Sequence, residues 1–494
     1  MSVAFLHHRR YKIPGSPAWW WFAVTAGLIG LGAVYWDDSW HTDRGRDGFL
    51  VAPHLLLYGA VTALGMVMAW WAWRSRGDAR EGAPRLALLG VATVLVSAPI
   101  DELWHRLFGR DAVIWSPPHL VGIAATFTVA VALARGVTIA AGRTVMMVVA
   151  ANALVLGAAM VLVMEFEADV PQFSPALYLP VVSATASFVL PLIRTQDHRR
   201  FAFTYATLAY TAVRLAIVLA LALGGFSTPI VPPLLLVAFV VDRASSRGIW
   251  ALLALPGAVH AVYLPWLFFM PHGVDLTAAE MFVSVLLSLV VAVSPAAWSR
   301  IRRVGLPAAG AFIAVVLFAS AAGAHDPGQG VQDAAITFEI DVIDSRATIE
   351  TIVGGEDCER LIPSRIVARR GGDERSAPLT SRSPCGADGT IQLPRRGRWF
   401  VYVEYQRSER QLEAWVPIES PNSTLYDVRR LYLPSHRQDT WWRSAVGVAL
   451  VLAALGLVLR ARRVGVATDQ PVAAQVLLTD ALDQDPRDAD RDEA

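Results

Sequence analysis

Residues 19–41 read WWWFAVTAGLIGLGAVYWDDSWH, an apolar run that ends in two aspartates, a tryptophan and a histidine. The part from Trp19 to Trp36 carries no charge and is long enough to cross about 30 Å of hydrocarbon as a helix. A basic stretch precedes it and no small-residue cleavage site follows it. The stretch therefore predicts a first membrane-spanning helix with an acidic and histidine-bearing end.

The composition of the rest of the chain agrees with a membrane protein. Charged residues make up 17% of the 494 residues, whereas soluble proteins carry about 25%. Residues 1–324 hold 38 of the 85 charged residues and residues 325–494 hold 47, so the charge density rises sharply at one boundary. A hydrophobic content of 54% excludes a disordered chain, and a net charge of +1 gives no support for nucleic-acid binding.

Apolar runs of helical length recur along the chain and predict a polytopic, mostly α-helical membrane bundle of about twelve spanning helices. Basic residues follow the even-numbered runs. For a protein of the plasma membrane, the positive-inside rule therefore places the N-terminus and the C-terminal tail in the cytoplasm. The runs are residues 19–36, 53–73, 86–104, 118–134, 144–164, 175–193, 203–225, 229–241, 249–270, 278–298, 306–324 and 443–460.

This topology divides the chain into four parts. Residues 1–324 are the membrane bundle, and residues 325–442 lie outside the cytoplasm. Residues 443–463 form a C-terminal transmembrane helix. Residues 464–494 form an acidic tail, which is predicted to be disordered.

The outer part has the pattern of a β domain. Apolar and polar residues alternate from Ile336 to Val342 and again in two later segments, with turn residues between them, which predicts an antiparallel β-sandwich. The domain resembles the immunoglobulin-like or cupredoxin-like modules of copper-handling proteins. Because an extracytoplasmic space is oxidising, Cys358 and Cys385 are predicted to form a disulfide.

The acidic helix ends repeat within the membrane part. Asp37-Asp38-Ser39-Trp40-His41 is followed by Arg46-Asp47 and then by Pro53-His54. The same elements return 64 residues later, from Asp37 to Asp101, as Asp101-Glu102-Leu103-Trp104-His105, Arg110-Asp111 and Pro118-His119. A further 64 residues lead to Glu165, where no histidine follows. The repeated unit is a pair of helices joined by an outer loop.

Each of the first two units is predicted to bind a metal ion. Aspartate and histidine four residues apart share one face of a helix, and the second histidine begins the next helix, where proline fixes its position. The predicted ligands are Asp37, His41 and His54 in the first unit, and Asp101, His105 and His119 in the second. One carboxylate and two imidazoles form a transition-metal site with open positions. The pairs Arg46-Asp47 and Arg110-Asp111 either orient these ligands or are exposed ion pairs.

At these residues the chain resembles a helical membrane subunit of the copper membrane monooxygenases, the family of particulate methane and ammonia monooxygenases. The resemblance covers residues 19–140, with Asp37, Trp40, His41 and His54 at matching spacing and Asp101 where the family has asparagine. It implies two copper sites and O2-dependent hydroxylation of a small uncharged substrate, together with an electron donor and other membrane subunits. The ligand set also suits iron or zinc. The alternative hypothesis is a membrane copper-handling or transport protein without catalysis.

Overall fold

The structure, a computed structural model, describes most of the chain between residues 17 and 466. Fourteen ranges are described, namely 17–44, 50–75, 82–108, 114–140, 143–168, 174–244, 249–269, 274, 276–300, 331–355, 358–370, 373–408, 410–433 and 441–466. The helices within them are α1 (Pro17–Arg44), α2 (Ala52–Arg74), α3 (Gly82–Phe108), α4 (Pro117–Ile139), α5 (Val145–Met160), α6 (Met164–Glu167), α7 (Tyr178–Gln196), α8 (Ala202–Leu223), α9 (Leu234–Ala244), α10 (Ile249–Phe269), α11 (Ala278–Arg300) and α12 (Trp441–Val466).

Eight helical stretches in the described part of the chain are long and apolar enough to cross a membrane. They correspond to α1 to α5, α7, α8 and α12, so eight of the twelve predicted spans are helices that are able to cross a membrane. Shorter apolar helices cover Leu255–Phe269 and Ala278–Val291. The predicted helix at residues 306–324 and the acidic tail beyond residue 466 lie outside the described residues.

The bundle has a central group of helices surrounded by peripheral ones. In α4 78% of the apolar window is buried against protein, and in α7 72%, whereas the figure for α3 and for α12 is 28%. Helices that are apolar all round bury one part of their surface against neighbours and leave the rest to lipid. We call the end of the bundle at which α1 ends and α2 begins the upper end.

The predicted span at residues 229–241 is a short helix preceded by a non-helical segment. Residues 224–233 continue from the end of α8 without helical structure, and α9 has only 11 residues, about 16 Å of helix. The Ile230 carbonyl accepts a hydrogen bond from Arg214 Nη2 at 2.8 Å, and the Ile230 amide donates to the Glu167 carbonyl at 2.7 Å. Arg214 lies nine residues before the end of α8, about 13 Å below it. The segment therefore re-enters the bundle, where protein groups satisfy its backbone.

The described residues after α11 begin with a β domain. Nine antiparallel strands pair in the order β4-β3-β7-β8-β9-β1-β2-β6-β5. The strands are β1 (Val331–Ile343), β2 (Arg346–Val353), β3 (Ile362–Arg370), β4 (Asp373–Pro378), β5 (Thr380–Ser383), β6 (Gly386–Gln392), β7 (Gly397–Arg407), β8 (Arg410–Ser420) and β9 (Ser423–Leu433). The prediction of an antiparallel β domain is confirmed.

The prediction of a two-sheet sandwich requires correction, because the strands form one continuous sheet. The sheet curls until β6 approaches β3 and β4, so that Ile366 and Ile391 share one apolar core. The approach is so close that a Cβ atom at Gly389 would lie 2.6 Å from the Pro378 carbonyl oxygen. The result is a nearly closed barrel-like sheet. The sequence shows alternation in each strand but not where hydrogen bonding between strands stops, and only the latter separates a sandwich from a barrel.

The β domain contacts the upper end of the bundle. Arg398 Nη1 donates to the Ala168 carbonyl at 3.2 Å and Arg398 Nη2 to Ser227 Oγ at 3.4 Å. Arg429 Nη2 donates to the Asp43 carbonyl at 2.8 Å. The outward face of β7 and β8 is buried as well, and its aromatic cluster packs against Ala168. Both faces of these strands are thus covered, one by the barrel core and the other at the contact with the bundle.

Replacing Arg398 by alanine is expected to loosen this contact. The substitution removes charge-assisted hydrogen bonds to Ala168 and Ser227, each of which contributes about 1.5–3 kcal/mol when well formed and less at these long distances. Hydrogen–deuterium exchange of residues 224–233 should become several-fold faster than in the wild type. The exposed Arg430, on strand β9 of the same sheet, gives the matched control Arg430→Ala. Equal exchange in the two variants would contradict the assigned role of Arg398.

Candidate metal site at the upper end

The first predicted unit is built from the end of α1 and the beginning of α2. Asp37 and His41 lie one turn apart near the end of α1, and His54 is the third residue of α2. Pro53 stands in the first turn of α2, where its fixed φ suits a helix start and its missing N–H costs no helical hydrogen bond. The short connection between the two helices brings the histidine back to the helix that carries the aspartate.

The three side chains converge on one point. His41 Nε2 lies 3.1 Å from Asp37 Oδ1, and His54 Nε2 lies 3.0 Å from the same oxygen. The two imidazole rings are 5.6 Å apart and inclined at 58° to each other. The ligand atoms of all three residues lie within 4.8 Å of one another, and no other described group of three or more His, Cys, Asp or Glu residues is this compact.

This geometry suits a transition-metal ion. Nitrogen and oxygen ligands about 2.0–2.2 Å from a metal are separated from one another by roughly 3 Å, which is the separation of each imidazole from Asp37 Oδ1. The side chains of Asp37, His41 and His54 are 25%, 17% and 21% exposed, so an ion from solvent reaches them. The Nδ1 atom of His41 is buried and has no hydrogen-bond partner among the described residues.

The second unit repeats part of this arrangement. Asp101 Oδ1 lies 3.1 Å from His119 Nε2, which joins the end of α3 to the beginning of α4 just as Asp37 and His54 join α1 to α2. His105 lies in α3 one turn after Asp101, but its side chain is outside the described part of the structure. The predicted ligand pair Asp101 and His119 is therefore brought together, and the third ligand remains a prediction.

The predicted orienting pairs Arg46-Asp47 and Arg110-Asp111 lie in residues 45–49 and 109–113, outside the described residues. Their role stays a prediction.

Tyr58 is a residue of this region that the sequence pattern did not reveal. It lies one turn after His54 in α2, and the two rings are 5.9 Å apart. Its hydroxyl is within electrostatic range of Asp37 in the first unit and also of Asp101 and Glu102 in the second. The two units are therefore neighbours across the contact between α2 and α3. A tyrosine one turn below a ligand in only one copy of a repeat gives no signal from sequence alone.

The third unit of the repeat has a different partner. In the structure, Arg214 Nη1 from α8 donates a hydrogen bond to Glu167 Oε2 at 2.5 Å, two residues after Glu165. Both side chains are completely buried. The same Nη1 contacts the hydroxyls of Tyr35 at 2.8 Å and Tyr210 at 3.0 Å. In the third unit, which has no histidine, Arg214 thus neutralises the carboxylate of Glu167.

In the β domain, Cys358 and Cys385 form the predicted disulfide, with their Cα atoms 5.2 Å apart. No free cysteine occurs in the chain, and the disulfide joins the connection between β2 and β3 to the turn between β5 and β6. Neither cysteine is a metal ligand in this arrangement.

No protein-family model, curated protein or solved structure matches this chain. The contacts between the residues therefore carry the functional interpretation, and the resemblance at residues 19–140 remains a hypothesis.

Proposed function

We propose that the protein is a membrane protein that binds a metal ion at Asp37, His41 and His54, and that this ion is copper. The observation that carries the proposal is the convergence of one carboxylate and two imidazole nitrogens, from two helices, within 4.8 Å. Copper is favoured over iron and zinc because divalent copper binds nitrogen and oxygen sites most tightly in the first-row series. The residues Asp101, His105 and His119 form the second site of this proposal.

The activity that we propose is O2-dependent hydroxylation of a small uncharged molecule. Bound copper would supply binding and reduction of O2. Insertion of one oxygen atom of O2 into a C–H bond releases the other as water and consumes two electrons and two protons, so a two-electron donor such as a membrane quinol is part of the proposal. Asp37 supplies a negative charge beside the ion, and His41 and His54 supply neutral nitrogen ligands.

The surroundings of the two units support an apolar substrate. Leu55 and Leu56 follow His54 directly and are 53% and 42% exposed, and Leu103 stands two residues after Asp101 and is 55% exposed. On helices of this length and hydropathy, exposed leucines face lipid. A small hydrocarbon dissolved in the bilayer therefore reaches the ligands from the side, whereas an ion reaches them from solvent at the upper end.

In this proposal the protein lies in the plasma membrane, and its upper end and β domain are on the side of the membrane away from the cytoplasm. Arg74, Arg135 and Arg194 lie at or near the opposite ends of α2, α4 and α7, which supports this orientation by the positive-inside rule.

The activity is tested with purified protein, copper, O2, a quinol and propane as a small uncharged substrate. We expect propanol from the wild type and at least about 100-fold less from His54→Ala, because loss of a ligand should exceed the 10–100-fold cost of losing a group that only orients one. The exposed His198 lies between α7 and α8, at the other end of the bundle, and His198→Ala is the matched control. Equal product from both variants would contradict the proposed active site.

The second candidate is a copper-handling protein without catalysis. It is favoured by the exposure of all three ligands at the upper end, which allows an ion to be passed to another protein. The four histidines of α1 to α4 all lie at the upper end, so these helices offer no histidine path across the bundle. Bound copper in the wild type without O2-dependent product would favour this second function.

A further inference from the structure

The segment that leads into α4 is attached to the end of α5 and to α6. Glu165 Oε1 accepts a hydrogen bond from the Ile114 amide at 2.5 Å. Trp115 Nε1 donates to the Leu162 carbonyl at 2.8 Å, and the Trp115 ring packs edge-on against Phe166 with centroids 6.0 Å apart. Residues 114 and 115 are thus held by side-chain and backbone groups that are about 50 residues away in the chain.

This segment determines where His119 stands. Ser116 is the residue before α4, and its carbonyl accepts the first helical hydrogen bond, from the Leu120 amide at 2.9 Å. His119 is the third residue of the helix, so its position follows from the position of residues 114–116. Its Nε2 atom must stay about 3 Å from Asp101 Oδ1, on another helix, for the two to act as ligands of one ion.

Glu165 is itself rigidly held. It is 1% exposed and lies in the four-residue helix α6, which follows the 3₁₀ turn at the end of α5. Two residues later, Glu167 is fixed by Arg214 and by Tyr178, whose hydroxyl is 3.5 Å from Glu167 Oε1. Arg214 in turn binds the Ile230 carbonyl of the re-entrant segment. The short helix that carries Glu165 is therefore anchored, two residues later, by a buried polar network.

We propose that Glu165 is a positioning residue of the second site, which holds Ile114 and thereby sets His119 against Asp101. The inference rests on the proposed function. Glu165 occupies the position in the third repeat unit that Asp37 and Asp101 occupy in the first two, since 165 − 101 and 101 − 37 are both 64. The Glu165 carboxylate of the third unit thus holds the segment that positions His119 of the second unit. What the site requires from position 165 is an acceptor for an amide.

The test compares Glu165→Leu, which removes the acceptor, with Glu165→Gln, whose amide oxygen keeps it. The full-length protein is titrated with copper alone, and His54→Ala and His119→Ala assign each bound equivalent to its site. We expect Glu165→Leu to weaken the second site about 10–100-fold, as loss of a group that orients a ligand does. The first site, in the same molecule, should keep its affinity, and Glu165→Gln should stay within about threefold of the wild type at both sites.

A second measurement does not depend on copper. In metal-free protein, hydrogen–deuterium exchange of residues 114–120 should be faster in Glu165→Leu than in the wild type and unchanged in Glu165→Gln. Unchanged exchange and unchanged affinity in Glu165→Leu would overturn the inference. Equal weakening of both copper sites would also overturn it, because the effect would then be on the bundle as a whole.

The remaining outcomes separate this inference from the proposed function. Binding at the first site only, in the wild type, would overturn the inference and leave the proposed function standing with the first site alone. Absence of any copper binding by the wild type would overturn both. A Glu165→Gln variant as weak as Glu165→Leu would overturn the claim that the acceptor, and not the charge, is what position 165 provides.

Discussion

Replacing Arg214 by leucine is expected to lower the free energy of unfolding of the bundle by about 3–5 kcal/mol, because it leaves a buried carboxylate without its counter-charge. Glu167 is completely buried and receives its ion pair from Arg214. The substitution also removes the donor to Tyr35, to Tyr210 and to the Ile230 carbonyl. The re-entrant segment would lose one of the two hydrogen bonds that hold Ile230, the other being its amide bond to the Glu167 carbonyl.

Denaturant titration in detergent micelles measures this effect. The exposed Arg200, at the opposite end of the bundle, provides the matched control Arg200→Leu, for which we expect a change within about 0.5 kcal/mol. The double variant Arg214→Leu/Glu167→Leu should be less destabilised than Arg214→Leu alone, since replacing both members of a buried pair removes the isolated charge. If Arg214→Leu and Arg200→Leu unfold at the same denaturant concentration, the network does not stabilise the bundle.

Bound copper is expected to stabilise the folded protein through the first site. An ion present at 100 times its dissociation constant raises the free energy of unfolding by about 2.7 kcal/mol if it binds only the folded state. Chelation should therefore lower the unfolding midpoint of the wild type, and addition of copper should restore it. The reason is that Asp37, His41 and His54 come from two helices, which separate when the bundle unfolds.

The same titration with variants assigns the effect to the site. His54→Ala should lose the stabilisation by copper that arises from the first site, whereas His198→Ala should keep it. A copper-dependent shift of equal size in wild type and His54→Ala would show that the ion stabilises the protein from somewhere other than the first site.

Much of the helical part could be predicted from the sequence. Uninterrupted apolar runs and basic flanks are strong signals, and they placed the eight helical stretches now seen as apolar spans. The repeat also predicted the contacts of Asp37 with His41 and His54, because i and i+4 spacing and a proline at the next helix start leave few alternatives. Local rules decide these features, and local rules are readable in a sequence.

Features that depend on long-range contact were not predictable in the same way. The apolar run at residues 229–241 predicted a short span, but not that residues 224–233 re-enter the bundle to meet Arg214. Glu165, Glu167 and Asp169 are all close together in the sequence, and spacing alone does not show that Glu167 is the one that binds Arg214. The curl of the β-sheet and the proximity of Tyr58 to both units likewise follow from packing between distant elements.

Metal content of the purified protein tests the central claim most directly. Wild type, His41→Ala/His54→Ala and His198→Ala are incubated with copper, freed of unbound ion, and analysed for copper, iron and zinc per chain. We expect the wild type and His198→Ala to retain the same amount, and His41→Ala/His54→Ala to retain one equivalent less. A wild type without bound metal, or a double variant that retains as much as the wild type, would contradict the assignment of a metal site to Asp37, His41 and His54.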